Sequence, residues 1–343
     1  MADLTPTRPS LPNRLAAAAV MGTVGMASRA FLYGLNKVEV TGLDNLLSTL
    51  DRRKQQGRER GLLTVCNHVA VLDDPLIWGI LPARYAFDPE NLRWGLGAHD
   101  ICFKNAATSK FFSLGQVLPT HRGWHSKHGG LYQPTVAEAV RLLSGPNSHV
   151  LPPKTTTYTT DGKDSHILPS IYTINRKAWV HIFPEACCVQ NQDATLRYFK
   201  WGVSRLILES DPAPEFIPMF IHGTQNIMPE ERGFPRFLPR IGKQFRVMIG
   251  EPTDVDKLFG EQRAQWRKLA QNSSEEELKT KPEAVELRIQ VTKAVRDEVA
   301  KLREKMGFPP DHDEEAALAE TWAKEPNVRK FKSPVDGSLV NRH

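Results

Sequence analysis

Cysteine is scarce in this 343-residue chain, with four copies at Cys66, Cys102, Cys187 and Cys188. They form no CxxC pair, and no histidine stands at finger spacing from them. That excludes a zinc-finger or disulfide-framed domain and leaves free thiols, with no metal and no cofactor expected. Also missing is any run of about 20 residues without a charge, which argues against a membrane-spanning helix. The most apolar stretch, "RLAAAAVMGTVGMASRAFLYGLNK" at 14–37, is interrupted by Arg29, and the residues ahead of it hold a single acid, Asp3. A signal peptide fits poorly, because the apolar part starts late and lacks a cleavage site. A mitochondrial presequence, an ordinary buried helix and a helix lying in the membrane interface remain. The interfacial reading best combines apolar length with Arg29, whose guanidinium would reach lipid phosphates while Phe31 sits among the chains.

What is present bounds the rest. With 40% hydrophobic residues the chain can bury a large core, as one domain with decorations or at most two. A net charge of +6 favours an anionic partner, whether nucleic acid, a membrane surface or a phosphorylated substrate. The basic residues are spread and no aromatic platform accompanies them, so nucleic acid is the poorest of the three. The sequence does not fix an oligomeric state.

Apolar strand-like runs alternate with helical patterns: "GLLTVCNH", "AWVHIFPEA", "EFIPMFIHG" and "QFRVMIGEP" against helices from Pro134 to Leu143, over "ATLRYFKWGVSRLILES", and from about 281 to 306 with Gly307 as its stop. That alternation specifies an α/β fold. The expected organisation is an N-terminal anchor segment at 1–37, a main domain at 38–260 with a flexible insertion at 144–176, a helical region at 261–307 and a polar, disordered tail at 308–343.

The stretch "CNHVAVLDDPLIWG" at 66–79 carries the chemistry. Five residues on a regular helix turn about 500°, so His68 and Asp73 would face apart on one. A strand before His68 and a Pro-led helix at Asp74–Pro75 instead put a non-helical turn between them. That turn can bring the carboxylate back to the imidazole, which then takes a proton from a substrate hydroxyl. Alternatively Asp73 only helps start the helix, with Asp74 as its N-cap. Cys66 offers a rival Cys–His pair, though a buried core thiol fits it better. Arg122–Gly123 joins a bidentate phosphate binder to a flexible turn. Pro184–Glu185 stands at the mouth of an apolar strand, where α/β sheets place ligand sites. In "GFPRFLPRIGKQFR", Phe234, Phe237 and Leu238 alternate with basic residues, as suits contact with an anionic bilayer.

In order, NHxxxxD (Asn67, His68, Asp73), the Arg122–Gly123 turn, "FPE" and the Pro-bearing strand resemble the glycerolipid acyltransferase family. The double aspartate, "SLGQVLPTHRG" and "YFKWGVSRLI" resemble its CoA-independent transacylase branch, over roughly residues 30 to 255. The resemblance implies a central mixed β-sheet flanked by helices, His68 as base with Asp73 orienting it, and Asn67, Arg122, Gly123, Pro184 and Glu185 around a glycerophosphate. It also implies a monotopic mitochondrial enzyme facing the intermembrane space, on inner and outer membranes. Such an enzyme passes acyl chains from phospholipids such as phosphatidylcholine to monolysocardiolipin, making cardiolipin. A CoA-dependent lysophospholipid acyltransferase and a non-catalytic basic membrane-binding protein are the alternatives. Ala186 stands where the family has glycine, which would restrict that turn to ordinary φ values.

Overall fold

A computed structural model describes residues 10–123, 126–145, 157–167, 176–190 and 194–310, with two short segments at 331–332 and 339–340. Its strands are β1 (Lys37–Thr41), β2 (Leu62–Cys66), β3 (Gly95–Ala98), β4 (Val117–Thr120), β5 (Trp179–Ile182), β6 (Glu215–His222), β7 (Gln244–Ile249) and β8 (Thr253–Asp254). The central sheet runs β1–β7–β6–β2–β5, with β8 beside β6. β2 pairs in parallel with β5 and β6, and β1 with β7, whereas β7 runs against β6. β3 and β4 form a parallel pair that continues the sheet through a Trp94–Val180 bridge. The sheet is therefore mixed, and β2, β4, β5 and β6 all end at one edge.

The apolar runs explain the layering. All five residues of β2 are buried, as expected of a central parallel strand covered on both faces. Leu63 and Val65 join one core and Leu62 and Cys66 the other, because successive side chains alternate. Helices α4 (Pro134–Leu143), α5 (Gly202–Leu208), α6 (Val255–Gln271) and α7 (Pro282–Lys305) cover the first face, through Val140, Leu206, Phe259 and Val295 among others. Helices α1 (Leu11–Leu35), α2 (Leu43–Gln55) and α3 (Asp73–Ile77) cover the second, through Leu32, Leu46, Leu50 and Ile77. Each such side chain contributes roughly 1.5–3 kcal/mol by leaving water. The valine spacing of α7 matches its observed bounds, and Gly307 follows it at φ +96°.

The expected helix over "ATLRYFKWGVSRLILES" is confined to Gly202–Leu208. Ahead of it the backbone is committed elsewhere: Arg197 N donates to Glu185 Oε1 at 2.9 Å and Lys200 N to Pro184 O at 2.8 Å. Part of the 144–176 insertion is an ordered hairpin pairing Thr157–Tyr158 with His166–Ile167. It meets the core where Thr160 Oγ1 lies 2.7 Å from His121 Nε2. Most of the tail expected to be disordered lies outside the described residues.

By length and composition alone, α1 is long and apolar enough to cross a membrane. It also packs on the fold, burying Met21, Ser28 and Leu32. A Cβ on Gly79 would sit 2.9 Å from the α1 backbone at Ser28 and Arg29, so glycine permits the close approach. The Arg29 guanidinium does not point away from the fold as expected. Its Nη1 donates to the carbonyls of Gly79, Ile80 and Leu81 at 3.2–3.3 Å, satisfying acceptors at the end of a turn. Phe31 likewise packs, half-buried, against the second core.

Candidate active site

His68 leaves the end of β2, and Asp73 opens α3. Between them the chain bends, with Asp73 N donating to Ala70 O at 3.1 Å. Asp73 is fully buried, and its Oδ2 lies 2.8 Å from His68 Nδ1 while accepting from Val69 N at 2.6 Å and Ala70 N at 2.9 Å. The carboxylate thus shapes the turn and fixes the ring in one act. Asp74 is not an N-cap: it pairs with Arg93 and accepts from Trp78 Nε1 at 3.1 Å. The two adjacent acids have separate jobs.

The imidazole, with 22% of its side chain exposed, stacks on Phe183 at 4.6 Å. Burial disfavours its charged form. The Cys188 sulfur 3.6 Å from Nε2 and the Asp73 carboxylate at Nδ1 outweigh that, holding the ring well above the usual histidine range. Cys66 is not the thiol that pairs with it. Cys66 is fully buried in the second core, and its Sγ donates to Asn67 Oδ1 at 3.4 Å. Cys188 was a residue the sequence gave no reason to single out beyond its vicinal neighbour.

Glu185, three residues past β5, is 1% exposed. Its Oε2 accepts from His68 N at 2.6 Å and its Oε1 from Arg197 N. Burial pushes its carboxyl up to about 7, against these hydrogen bonds. It braces the backbone of His68, where a contact with substrate was expected. Pro184 is buried beside it. Asn67 is likewise a brace and not a substrate contact: it is 2% exposed, its Nδ2 donates to Ile221 O at 3.0 Å and its Oδ1 accepts from Ile221 N at 2.8 Å. Ala186 adopts φ +56°, so the glycine-like turn persists despite its side chain, contrary to the restriction expected.

Arg122 follows β4 at the same edge, with its guanidinium forked onto Asp100 (Nε–Oδ1 3.2 Å, Nη2–Oδ2 2.5 Å). A phosphate there must exchange one anion for another. A Cβ on Gly123 would meet nothing within 4 Å; the tight position is Gly129, whose Cβ would lie 2.5 Å from Gly123 N. Close by, His99, His121 and Asp164 each place a ligand atom within 4.8 Å of the others, a metal-compatible grouping that the cysteine pattern did not suggest. Asp164 there accepts from Thr160 N at 2.6 Å and lies 2.7 Å from His166 Nε2.

The same edge carries the loop from β6 to β7, because an antiparallel partner returns where its neighbour ends. Phe234 is 93% exposed and Phe237 72%, with Leu238 and Ile241 also out and Arg236, Arg240 and Lys243 among them. The loop is tied to α1, Gly242 N donating to Leu35 O at 2.8 Å.

Comparison with known proteins returns a consistent set. The acyltransferase family profile matches residues 37–222. Tafazzin of Saccharomyces cerevisiae is 33% identical over 92% of this chain and 84% of its own. N-acylphosphatidylethanolamine synthase of Arabidopsis thaliana is 33% identical over 68% and 70%, and tafazzin of Drosophila melanogaster 31% over 69% and 51%. Among solved structures, the 1-acyl-sn-glycerophosphate (LPA) acyltransferase PlsC of Thermotoga maritima aligns over 82% of this chain and 78% of its own. The TM-score there is 0.41 and the identity 16%.

Proposed function

This chain belongs to the acyltransferase family, among the tafazzins, and we propose that it moves a fatty acyl chain from a phospholipid to the hydroxyl of a lysophospholipid without coenzyme A. The single observation that carries the acyl-transfer part of this reading is the bent His68–Asp73 pair, with a partly exposed ring at the edge that also presents the apolar, basic loop. His68 Nε2 takes the proton of the acceptor hydroxyl, displacing its contact with Cys188. The alkoxide attacks the donor ester, and the imidazolium, stabilised by Asp73, returns the proton to the departing lysophospholipid oxygen. One ester is broken and one made, so no activated donor is required.

Monolysocardiolipin is the proposed acceptor, phosphatidylcholine a donor, and cardiolipin the product, on mitochondrial membranes facing the intermembrane space. Phe234, Phe237 and Leu238 dip below the headgroups while neighbouring cations add about 1 kcal/mol each, and α1 lies along the interface. Arg122 receives the glycerophosphate once Asp100 yields.

The test is transfer of a labelled acyl chain from phosphatidylcholine to monolysocardiolipin in CoA-free vesicles. Wild type should transfer it, and His68→Ala should lose about 10²-fold or more. Transfer only after acyl-CoA is added would sink the CoA-free assignment. Label appearing on the amine of phosphatidylethanolamine would redirect it toward the chemistry named for the plant relative.

A further inference from the structure

The edge of the sheet opposite His68 holds a cavity of about 960 Å³, between the residues that precede β2, β3, β4 and β5 and the N-terminal half of α1. Among the described residues, six basic side chains line it against two acidic ones, Asp88 and Glu90. Both acids are already engaged, Glu90 with Arg14 at 3.1 Å and Asp88 with Lys54 at 2.6 Å. Arg53 is 3% exposed and donates to the carbonyls of Arg60 at 2.5 Å and Lys177 at 2.7 Å, while its Nε has no hydrogen-bond partner among the described residues. The Nε of Arg176 is buried in the same condition. Glu215, the acid that acts on Arg53, is held by Arg52 at 2.5 Å. Burial, with Arg58 next, pushes Arg53 down to about 9. A guanidinium kept as dry as Arg53, among five other basic side chains, is costly unless an anion joins it, and a phosphate offers charge-assisted hydrogen bonds.

The lining is also partly apolar, with Leu11 and Leu15, 63% and 62% exposed, beside Ala18 and Phe87. A soluble anion has no use for that part. We propose that this cavity is a second lipid site, holding the phosphate of an anionic phospholipid against Arg53, Arg58 and Arg176 with an acyl chain along Leu11, Leu15 and Ala18. The site rests on α1 lying in the membrane interface. With 25 residues, α1 extends about 37 Å, from this cavity to the catalytic edge. The lipid held here is therefore not the one being acylated; it is recognised by its headgroup charge at the far end of α1.

The test uses the full chain on phosphatidylcholine vesicles carrying a trace of photoactivatable phosphatidic acid or photoactivatable phosphatidylcholine, with labelled peptides mapped by mass spectrometry. Phosphatidic acid should label residues 11–18 or 84–91 about tenfold more than phosphatidylcholine does. Arg58→Gln and Arg176→Gln should each cut that labelling about tenfold, the size of one lost charged hydrogen bond. Both variants should float with vesicles and transfer acyl chains like wild type, which separates this site from membrane attachment and from catalysis. Equal labelling by the two lipids, or labelling that survives both substitutions, overturns the site. Suppression by inorganic phosphate assigns it to a soluble anion and overturns the lipid. Wild type that fails to float removes the interfacial α1 on which the site depends.

Discussion

Replacing Asp73 by asparagine removes one charge and almost no volume, and so isolates what the carboxylate does for His68. Asp73 Oδ2 sits 2.8 Å from Nδ1, which puts the charge centres of an ion pair about 4 Å apart. At an effective dielectric of about 20 that attraction is worth about 4 kcal/mol. The asparagine oxygen still accepts from the ring and from Val69 and Ala70, retaining about 1 kcal/mol per neutral hydrogen bond. The net loss falls on the imidazolium, at about 3 kcal/mol, so acyl transfer should drop about 10²-fold with the fold intact. The pH profile provides a second readout. As the proposed base, His68 works when neutral, and its folded value lies well above the usual one. Wild-type activity should therefore keep rising through neutral pH, whereas Asp73→Asn should reach its lower plateau about two units earlier. Label transfer between vesicle lipids, measured across pH with far-UV circular dichroism on each sample, decides the matter. A loss below about tenfold with the acidic limb unmoved would falsify the electrostatic role.

Four further outcomes follow from the same geometry. Glu185 titrates near 7 in the folded chain against 4.5 ordinarily, so the folded state holds more protons in that window and stability falls as pH rises through it. Urea unfolding should show up to about 3 kcal/mol of this loss in wild type beyond that in Glu185→Gln; His68, also raised, loses its stabilising contribution in the same direction in both proteins, so the comparison cancels it. Ala186→Gly should raise the urea midpoint, worth about 0.5–1 kcal/mol, because φ +56° costs alanine more than glycine; a lower midpoint would mean the turn is not left-handed. Phe234→Ser with Phe237→Ser should weaken vesicle binding by two decades or more, since each exposed ring can bury roughly 1.5–3 kcal/mol, and unchanged flotation would remove the loop from the interface. Cys188→Ala should retain transfer within about threefold, because the attacking oxygen belongs to the lipid; a loss near that of His68→Ala would make the thiol a covalent carrier.

The dyad was legible because strand, bend and Pro-led helix are local signals, and a bend is the only way residues five apart can meet. The mixed sheet was legible from continuous apolar runs. The roles of Asn67 and Glu185 were not, since spacing cannot tell a polar side chain that faces substrate from one that bonds backbone 154 or 117 residues away in sequence. Arg29 misled for a related reason: a cation in an apolar helix reads as a phosphate seeker until the carbonyls of 79–81 appear beside it. The helix expected around Tyr198 failed because its amides were recruited by the "FPE" turn. Tertiary demand overrode local preference there.

The reversal of β7 against β6 has an engineering corollary. The segment 223–243 leaves and re-enters the sheet at one rim, so the exposed stretch 233–239 can change length while both its ends stay held. On the bilayer contact proposed for Phe234 and Phe237, shortening that stretch should raise the His68 rim farther from the bilayer, and lengthening it should let the rim settle closer. Under that proposal, immersion depth becomes a quantity that mutation can adjust on its own, apart from the chemistry it serves.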